Sequence, residues 1–281
     1  MSEVSRTAAY VAFYRALETV ERSRAPLFRD RYARRFLPAG LRLAIGAART
    51  PLVQRSIAWY ADRRAPGART SAIARTAYID EAVTSAIGRG IRQLVILGAG
   101  FDCRAHRIEG LAHVQVFEVD RAATQAEKRA RVPAGSVRYV PVDFLREDAF
   151  AKLVDFGWQR GEPTLIIWEG VTNYLTEDAV ARVLAEVGRC ARGTTIVFTY
   201  IHKGVLDRST VFAGADLMLK NVQELGEPWT FGIEPSQLPG FLGAHGLTLR
   251  DDAGADDYRA RYLGAGSRGY GFYRIAIAET A

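Results

Sequence analysis

The residues best placed to do chemistry sit where apolar runs end. "LVILGAG" (94–100) carries four apolar residues into Gly98-Ala99-Gly100, and Asp102 follows two positions later. "FEVD" (117–120) ends in Asp120, 22 positions after Gly98. "VRYVPVDF" (137–144) ends in Asp143-Phe144, and "TLIIWEG" (164–170) in Glu169-Gly170. Glycine allows positive φ and removes a Cβ that would block a close-lying ligand. G-x-G alone is weak evidence, but an acidic residue about 20 positions further on is placed to accept hydrogen bonds from the vicinal hydroxyls of a ribose. Asp143 offers an acceptor for an adenine amino group, and Phe144 an aromatic face against its ring. Uncompensated buried carboxylates are costly, so three on one rim point to a ligand rather than to packing.

Charge chooses between two nucleoside cofactors. A nicotinamide dinucleotide needs a third glycine and a helix N-terminus for its pyrophosphate. Here the sixth position of the motif is Cys103, and Asp102 is expected to repel phosphate. S-adenosylmethionine carries an ammonium and a sulfonium and no phosphate, so an acidic rim suits it.

The elements that must position these residues follow from periodicity. Five short apolar runs (92–98, 114–120, 137–144, 164–170 and 194–201) alternate with helical patterns at 121–131, 146–157 and 176–191. That alternation predicts an α/β fold, a mostly parallel sheet with right-handed crossovers and helices on both faces. Pro141 places the third run at an edge or a strand terminus. The tail, 246–252 and 270–279, reads as an antiparallel strand pair joined by a loop without a helical pattern. Ahead of the sheet, residues 1–90 read as helical. Val11, Tyr14, Leu17 and Val20 form an amphipathic stripe. "LFRDRYARRFL" is a second short helix closed by Pro38 and Gly40, "PLVQRSIAWYADRR" a third, and 71–90 a fourth ending at Gly88 and Gly90. The expected organisation is a single domain: a helical cap (1–90), a cofactor-binding core (91–201), an insertion over the substrate (202–245) and a terminal strand pair (246–281).

Taken together, "SRTA" (5–8), "RALE" (15–18), "LFRD" (27–30), "RTAYIDE" (75–81), "ILGAGFDCRAHR" (96–107), "FEVD", "DF" and "EGVTNYL" (169–175) resemble the leucine carboxyl methyltransferase family. The similarity is strongest to its bacterial branch of S-adenosylmethionine-dependent O-methyltransferases, which includes polyketide carboxyl O-methyltransferases. The resemblance implies a class I methyltransferase Rossmann-like sheet with S-adenosylmethionine as methyl donor and S-adenosylhomocysteine as product. It further implies that Arg75 meets the donor's carboxylate, with Arg6 as a second, loosely aligned basic residue. Gly98, Ala99 and Gly100 line the donor, Asp120 holds the ribose, Asp143 and Phe144 the adenine, and Glu169 the methionine amine. The protein C-terminus methylated by eukaryotic members is not carried over to this shorter chain.

Acceptor chemistry turns on a base. A carboxylic acid, with a reference pKa near 4, is ionised at neutral pH, whereas a phenol, near 10, needs its proton removed. Of the four histidines, His106, His113, His202 and His245, only His202 lies where an acceptor could approach. Tyr174 and Tyr200 read as pocket walls or hydrogen-bond donors to the acceptor, and Tyr10 and Tyr14 could serve from the cap. Phe212, Leu217, Met218, Leu219, Trp229 and Phe231 give the insertion an apolar lining for a hydrophobic acid, or equally ordinary core or a dimer surface. Three functions follow: esterification of a small, largely apolar or polyketide-type carboxylate; methylation of a phenol or hydroxyl with His202 as base; or donor binding without catalysis.

Composition bounds the rest. The 281 residues are 48% hydrophobic and 25% charged, enough for a packed core. Net charge is +7, yet no Lys/Arg run has the length of a nucleic-acid patch. Cys103 and Cys190 fit neither a disulfide framework nor a zinc spacing, and no apolar run approaches a bilayer span. The expectation is a cytoplasmic protein with a small-molecule acid as partner, without nucleic acid, membrane or metal; a homodimer stays open.

Overall fold

A computed structural model describes residues 6–144, 146–264 and 267–280, with Arg6 and Thr7 described by backbone only. One seven-stranded sheet has the order β3-β2-β1-β4-β5-β7-β6. Its parallel part is β1 (Gln93–Leu97), β2 (Gln115–Asp120), β3 (Arg138–Pro141), β4 (Thr164–Trp168) and β5 (Thr195–Ile201). β6 (Leu247–Ala253) and β7 (Tyr273–Thr280) close it, with β7 antiparallel between β5 and β6. This is the class I methyltransferase sheet. Residues of β1 and β4 are buried throughout, as expected of strands covered on both faces. β3 takes the edge, where Pro141 does no harm.

Helices cover both faces. α1 (Arg6–Thr19), α2 (Ala39–Ala47), α3 (Pro51–Arg64) and α4 (Ala68–Gly88) form the N-terminal layer. α5 (Arg104–Arg107), α6 (Ala122–Arg129), α7 (Ala149–Asp155) and α8 (Glu177–Gly188) lie along the crossovers. α7 starts at 149 because Asp148 accepts the Phe150 and Ala151 N–H groups, and Thr176 caps α8 through the Ala179 N–H. α9 (Ala215–Glu224) and α10 (Leu238–Gly243) belong to the segment after β5. No helix among the described residues is long and apolar enough to cross a membrane.

Two expectations fail locally. "LFRDRYARRFL" is not an α-helix but a loop and one 3-10 turn, Ala33–Phe36; Pro38 then opens α2 rather than ending a helix. The fixed φ of proline suits a helix start, and its missing N–H costs nothing there. The tail strands are separated by α11 (Ala255–Tyr262), not by a plain loop. The Asp257 carboxylate accepts the Gly254 N–H at 2.8 Å, and Asp256 adds negative charge to the first turn, a start signal with few apolar residues behind it.

Candidate active site

The order β2-β1-β4 sets the ends of three parallel strands side by side. Where β1 ends, Gly98 has φ +65° and Gly100 φ +45°. A Cβ at Gly98 would stand 2.4 Å from Val171 Cγ2, so this glycine lets the loops after β1 and β4 touch. The Gly98 and Ala99 N–H groups donate to Val119 O at 2.8 and 3.1 Å. Asp120, half-buried at the end of β2, accepts the Gly100 N–H at 2.6 Å on Oδ2 and the Arg121 N–H at 2.7 Å on Oδ1. A carboxylate has about four acceptor sites, so both oxygens retain lone pairs for further donors.

Glu169 follows β4. It accepts Arg75 Nε at 2.7 Å on Oε1 and Arg104 Nη1 at 2.9 Å on Oε2. Arg75 comes from α4, is buried, and lies with its guanidinium 4.7 Å from the centre of the Tyr273 ring. Burial opposes ionisation of Glu169, but Arg104 and Arg75 outweigh it and hold the carboxyl below its ordinary value of 4.5. Arg104 also pairs with Asp102, and its Nε donates to Asp80 Oδ1 at 2.8 Å. Its Nη2 is buried and lacks a hydrogen-bond partner among the described residues.

The charge argument built on Asp102 needs correction. This side chain is buried, pairs with Arg104 and accepts the Arg104 N–H at 2.7 Å. Burial again opposes its charge, while Arg104, Lys128 and Arg15 hold it far below the usual carboxylate range. Its charge is compensated internally, so it does not repel a phosphate. Cys103 in place of the third glycine still counts against a dinucleotide.

The remaining predicted residues divide. Asp143 and Phe144 lie just past β3 on the same rim, both part-exposed; the Asp143 N–H donates to Glu147 Oε2 at 2.7 Å. Arg6 begins α1, its side chain lying outside the described residues. Tyr174 sits in the 3-10 turn after β4 and packs on the cluster of Ile201, Trp229, Phe272 and Tyr273, joined by Phe212, Met218 and Leu219. Phe231 takes the core alternative and enters the sheet core, and Leu217 points to solvent. Tyr10 is exposed and Tyr14 buried on α1, where burial first and then Asp62 push its phenol up to about 12.

Tyr200 and His202 both have their polar atoms engaged within the fold. Tyr200 is fully buried; its hydroxyl lies 2.9 Å from both Asp252 carboxylate oxygens and accepts Arg274 Nε at 3.0 Å. It ties β5 to the antiparallel strands instead of walling a pocket. His202 Nδ1 accepts the Gly204 N–H at 3.0 Å, which leaves the ring proton on Nε2, 3.2 Å from Glu234 Oε1. Both ring nitrogens are occupied.

Sequence reasoning gave no role to a second set of charges under the β1 loop. Arg15 Nη2 donates to Phe101 O at 2.5 Å and its Nε lies 3.4 Å from Asp30 Oδ2. Arg107 lies 4.0 Å from the same oxygen and donates to both Asp80 oxygens at 2.6 Å. The signal was present in "RAHR", where Arg104 and Arg107 stand at i, i+3 and share a helix face.

The family described as leucine carboxyl methyltransferase matches residues 8–188. A Frankia alni protein assigned as an S-adenosyl-L-methionine-dependent methyltransferase is 34% identical over 266 residues, covering 90% of this chain and 87% of the relative. The chain belongs to the leucine carboxyl methyltransferase family. A Streptomyces avermitilis relative with the same assignment is 35% identical over 265 residues, 90% of this chain and 88% of its own length. Two crystal structures share the fold: a DUF574 family protein from S. avermitilis (TM-score 0.61, 12% identity, 100% and 99% of the two chains) and a protein from Thermobifida fusca described as a methyltransferase (TM-score 0.59, 18% identity, 95% and 94%). Membership carries the class of chemistry: this methyltransferase family uses S-adenosylmethionine. The residues present fit that donor. An arginine beside a glutamate complements a carboxylate beside an ammonium, and the unpartnered Arg104 Nη2 lacks only an acceptor.

Proposed function

We propose that this methyltransferase esterifies the carboxylate of a small, largely apolar acid. The reading rests on the state of the candidate bases. His202 has both ring nitrogens engaged and Tyr200 is buried against Asp252. His106 lies on the cap side of the β1 loop, edge-on to Tyr32, and burial first, then Lys128, lower its pKa. An acceptor that arrives already ionised needs no base, and a carboxylic acid is ionised at neutral pH.

In this reading Arg75 holds the donor's carboxylate and Glu169 its ammonium, each exchanging the contact it now makes with the other. Asp120 accepts from the ribose hydroxyls, while Asp143 and Phe144 meet the adenine. The bound donor supplies an electrophilic methyl on a cationic sulfur. The protein's part is to hold the acceptor oxygen in line and to keep water out. The apolar cluster of Tyr174, Phe212, Met218 and Trp229 serves the second task.

A substrate panel of apolar acids and phenols, analysed by mass spectrometry, tests the proposal. The expected product gains one methyl group and loses it on mild alkaline hydrolysis, as an ester does. An alkali-stable product would be an ether and would sink the carboxylate reading. The phenol reading keeps one observation in its favour, the Glu234 carboxylate beside His202 Nε2, and predicts that His202→Ala abolishes turnover.

A further inference from the structure

The whole net charge of the chain is +7, and residues 31–61 contain six arginines and no lysine, aspartate or glutamate. The fold displays three of those arginines, Arg42, Arg49 and Arg55, on the exposed face of the α2–α3 hairpin, and Arg63 continues the row. Among the described residues none of these four has a carboxylate partner. Asp62, the first acid after the stretch, is taken by Arg69 at 2.6 Å. Between the arginines stand Leu43 (76% exposed), Leu52 (79%), Trp59 (64%) and Tyr60 (60%). Leu52, Trp59 and Tyr60 fall at i, i+7 and i+8, one stripe of α3, around an open hollow of about 560 Å³ that Arg55 also borders. Arg63 lies 5.7 Å from the centre of the Trp59 ring.

We infer that the α2–α3 face docks on an anionic lipid surface. Large apolar side chains at this exposure are unusual on a free surface when they are contiguous. Like charge disfavours a second copy of the same face, since the arginines would meet arginines. An anionic bilayer answers both properties at once. Leucine, tryptophan and tyrosine enter the boundary between headgroups and acyl chains, while arginines extend their stems to the phosphates. The expectation of no membrane partner rested on the lack of a spanning run and does not bear on surface docking. The inference does not depend on which acceptor is methylated.

Sedimentation with vesicles tests it. The protein is expected to co-sediment with equimolar phosphatidylcholine and phosphatidylglycerol, and not with phosphatidylcholine alone. Trp59 reports the event, because Trp158, Trp168 and Trp229 are buried: its emission should shift to the blue on binding. R42Q/R49Q/R55Q should lower partitioning on the order of 100-fold, from roughly a factor of five per arginine, and Leu52→Asp should weaken it as well. Both variants should bind S-adenosylhomocysteine like the parent, which shows that they fold. Failure to sediment with anionic vesicles, or partitioning that the triple variant leaves unchanged, overturns the inference. So does a blue shift produced by protein concentration alone, which would identify a second copy, or by poly-glutamate, which would identify an acidic polypeptide.

Discussion

Arg75 Nε and Glu169 Oε1 lie 2.7 Å apart, although one comes from the fourth cap helix and the other from the loop after β4. The pair therefore joins the cap to the sheet at the rim where the parallel strands end. It also holds together the two charges that a zwitterionic donor would separate. Arg75→Ala should weaken S-adenosylhomocysteine binding by about 30-fold or more, from the loss of a charged hydrogen bond worth roughly 2 kcal/mol. It should also lower stability, because Glu169 keeps only Arg104. Titration calorimetry and thermal unfolding check the two effects; undiminished affinity would remove Arg75 from the donor site.

Asp120→Asn offers a finer test. Asparagine keeps an acceptor for the Gly100 N–H but loses the charge and one acceptor oxygen. Donor affinity should fall about tenfold, the effect of one weakened charge-assisted hydrogen bond, with little change in unfolding temperature. Asp120→Ala should add a loss of stability, since the Gly100 and Arg121 N–H groups lose their partner.

Replacing His202 by alanine should leave turnover within a few-fold of the parent. The expected damage is structural, about 1 kcal/mol from the lost acceptor for the Gly204 N–H. Steady-state kinetics on the preferred acceptor would show it, and abolished turnover with intact donor binding would restore the general-base reading.

Acid should loosen the site in a defined window. Glu169 and Asp102 both have carboxyls held below their ordinary values of 4.5 and 3.8. Burial alone would raise them; the surrounding arginines, with Lys128 beside Asp102, reverse the sign. The unfolded chain therefore binds protons first, and the stability these groups confer is complete above the ordinary carboxylate range. It is lost progressively as pH falls below about 4.5. Glu169→Gln should flatten that part of the unfolding temperature profile, and an unchanged slope would show that Glu169 does not carry it.

Gly98→Ala should destabilise the protein by about 2 kcal/mol or more, combining left-handed backbone strain with a clash against Val171. Adding Val171→Ala removes the nearest atom, Cγ2, and should recover the steric part but not the backbone part. Chemical denaturation of the single and double variants separates the two.

Much of the fold was readable because parallel strands buried on both faces announce themselves as unbroken Val/Ile/Leu runs. The rim was readable too: Asp120, Asp143 and Glu169 stand where strands end, and strand ends are visible in sequence. What stayed hidden depended on partners far along the chain. Nothing in "TYIHKG" tells that His202 is held between Gly204 and Glu234, or that Tyr200 meets Asp252 and Arg274. Asp102 was visible as a charge but its Arg104 counterion was not weighed. α11 was missed because its start is polar and its apolar period is weak.

The buried ions beneath the β1 loop restrict how an acceptor gets in. Asp30, Arg15, Arg107, Asp80 and Arg104 fasten the first cap helices to the glycine turn through contacts of 2.6–4.0 Å, all of them largely dry. Raising that side like a hinged roof would expose unpaired charges and drag the glycine turn with it. The segment after β5 is held by different forces: the Ile233 N–H on Ile201 O, the Lys203 N–H on Ile233 O, the Thr230 N–H on Asn173 O, and the burial of Phe231, Ile233, Leu238 and Leu242 in the sheet core. Opening that flank breaks hydrogen bonds and apolar contacts rather than a buried ion cluster, so it is the cheaper route for a methyl acceptor, and the ion-paired cap is the fixed wall.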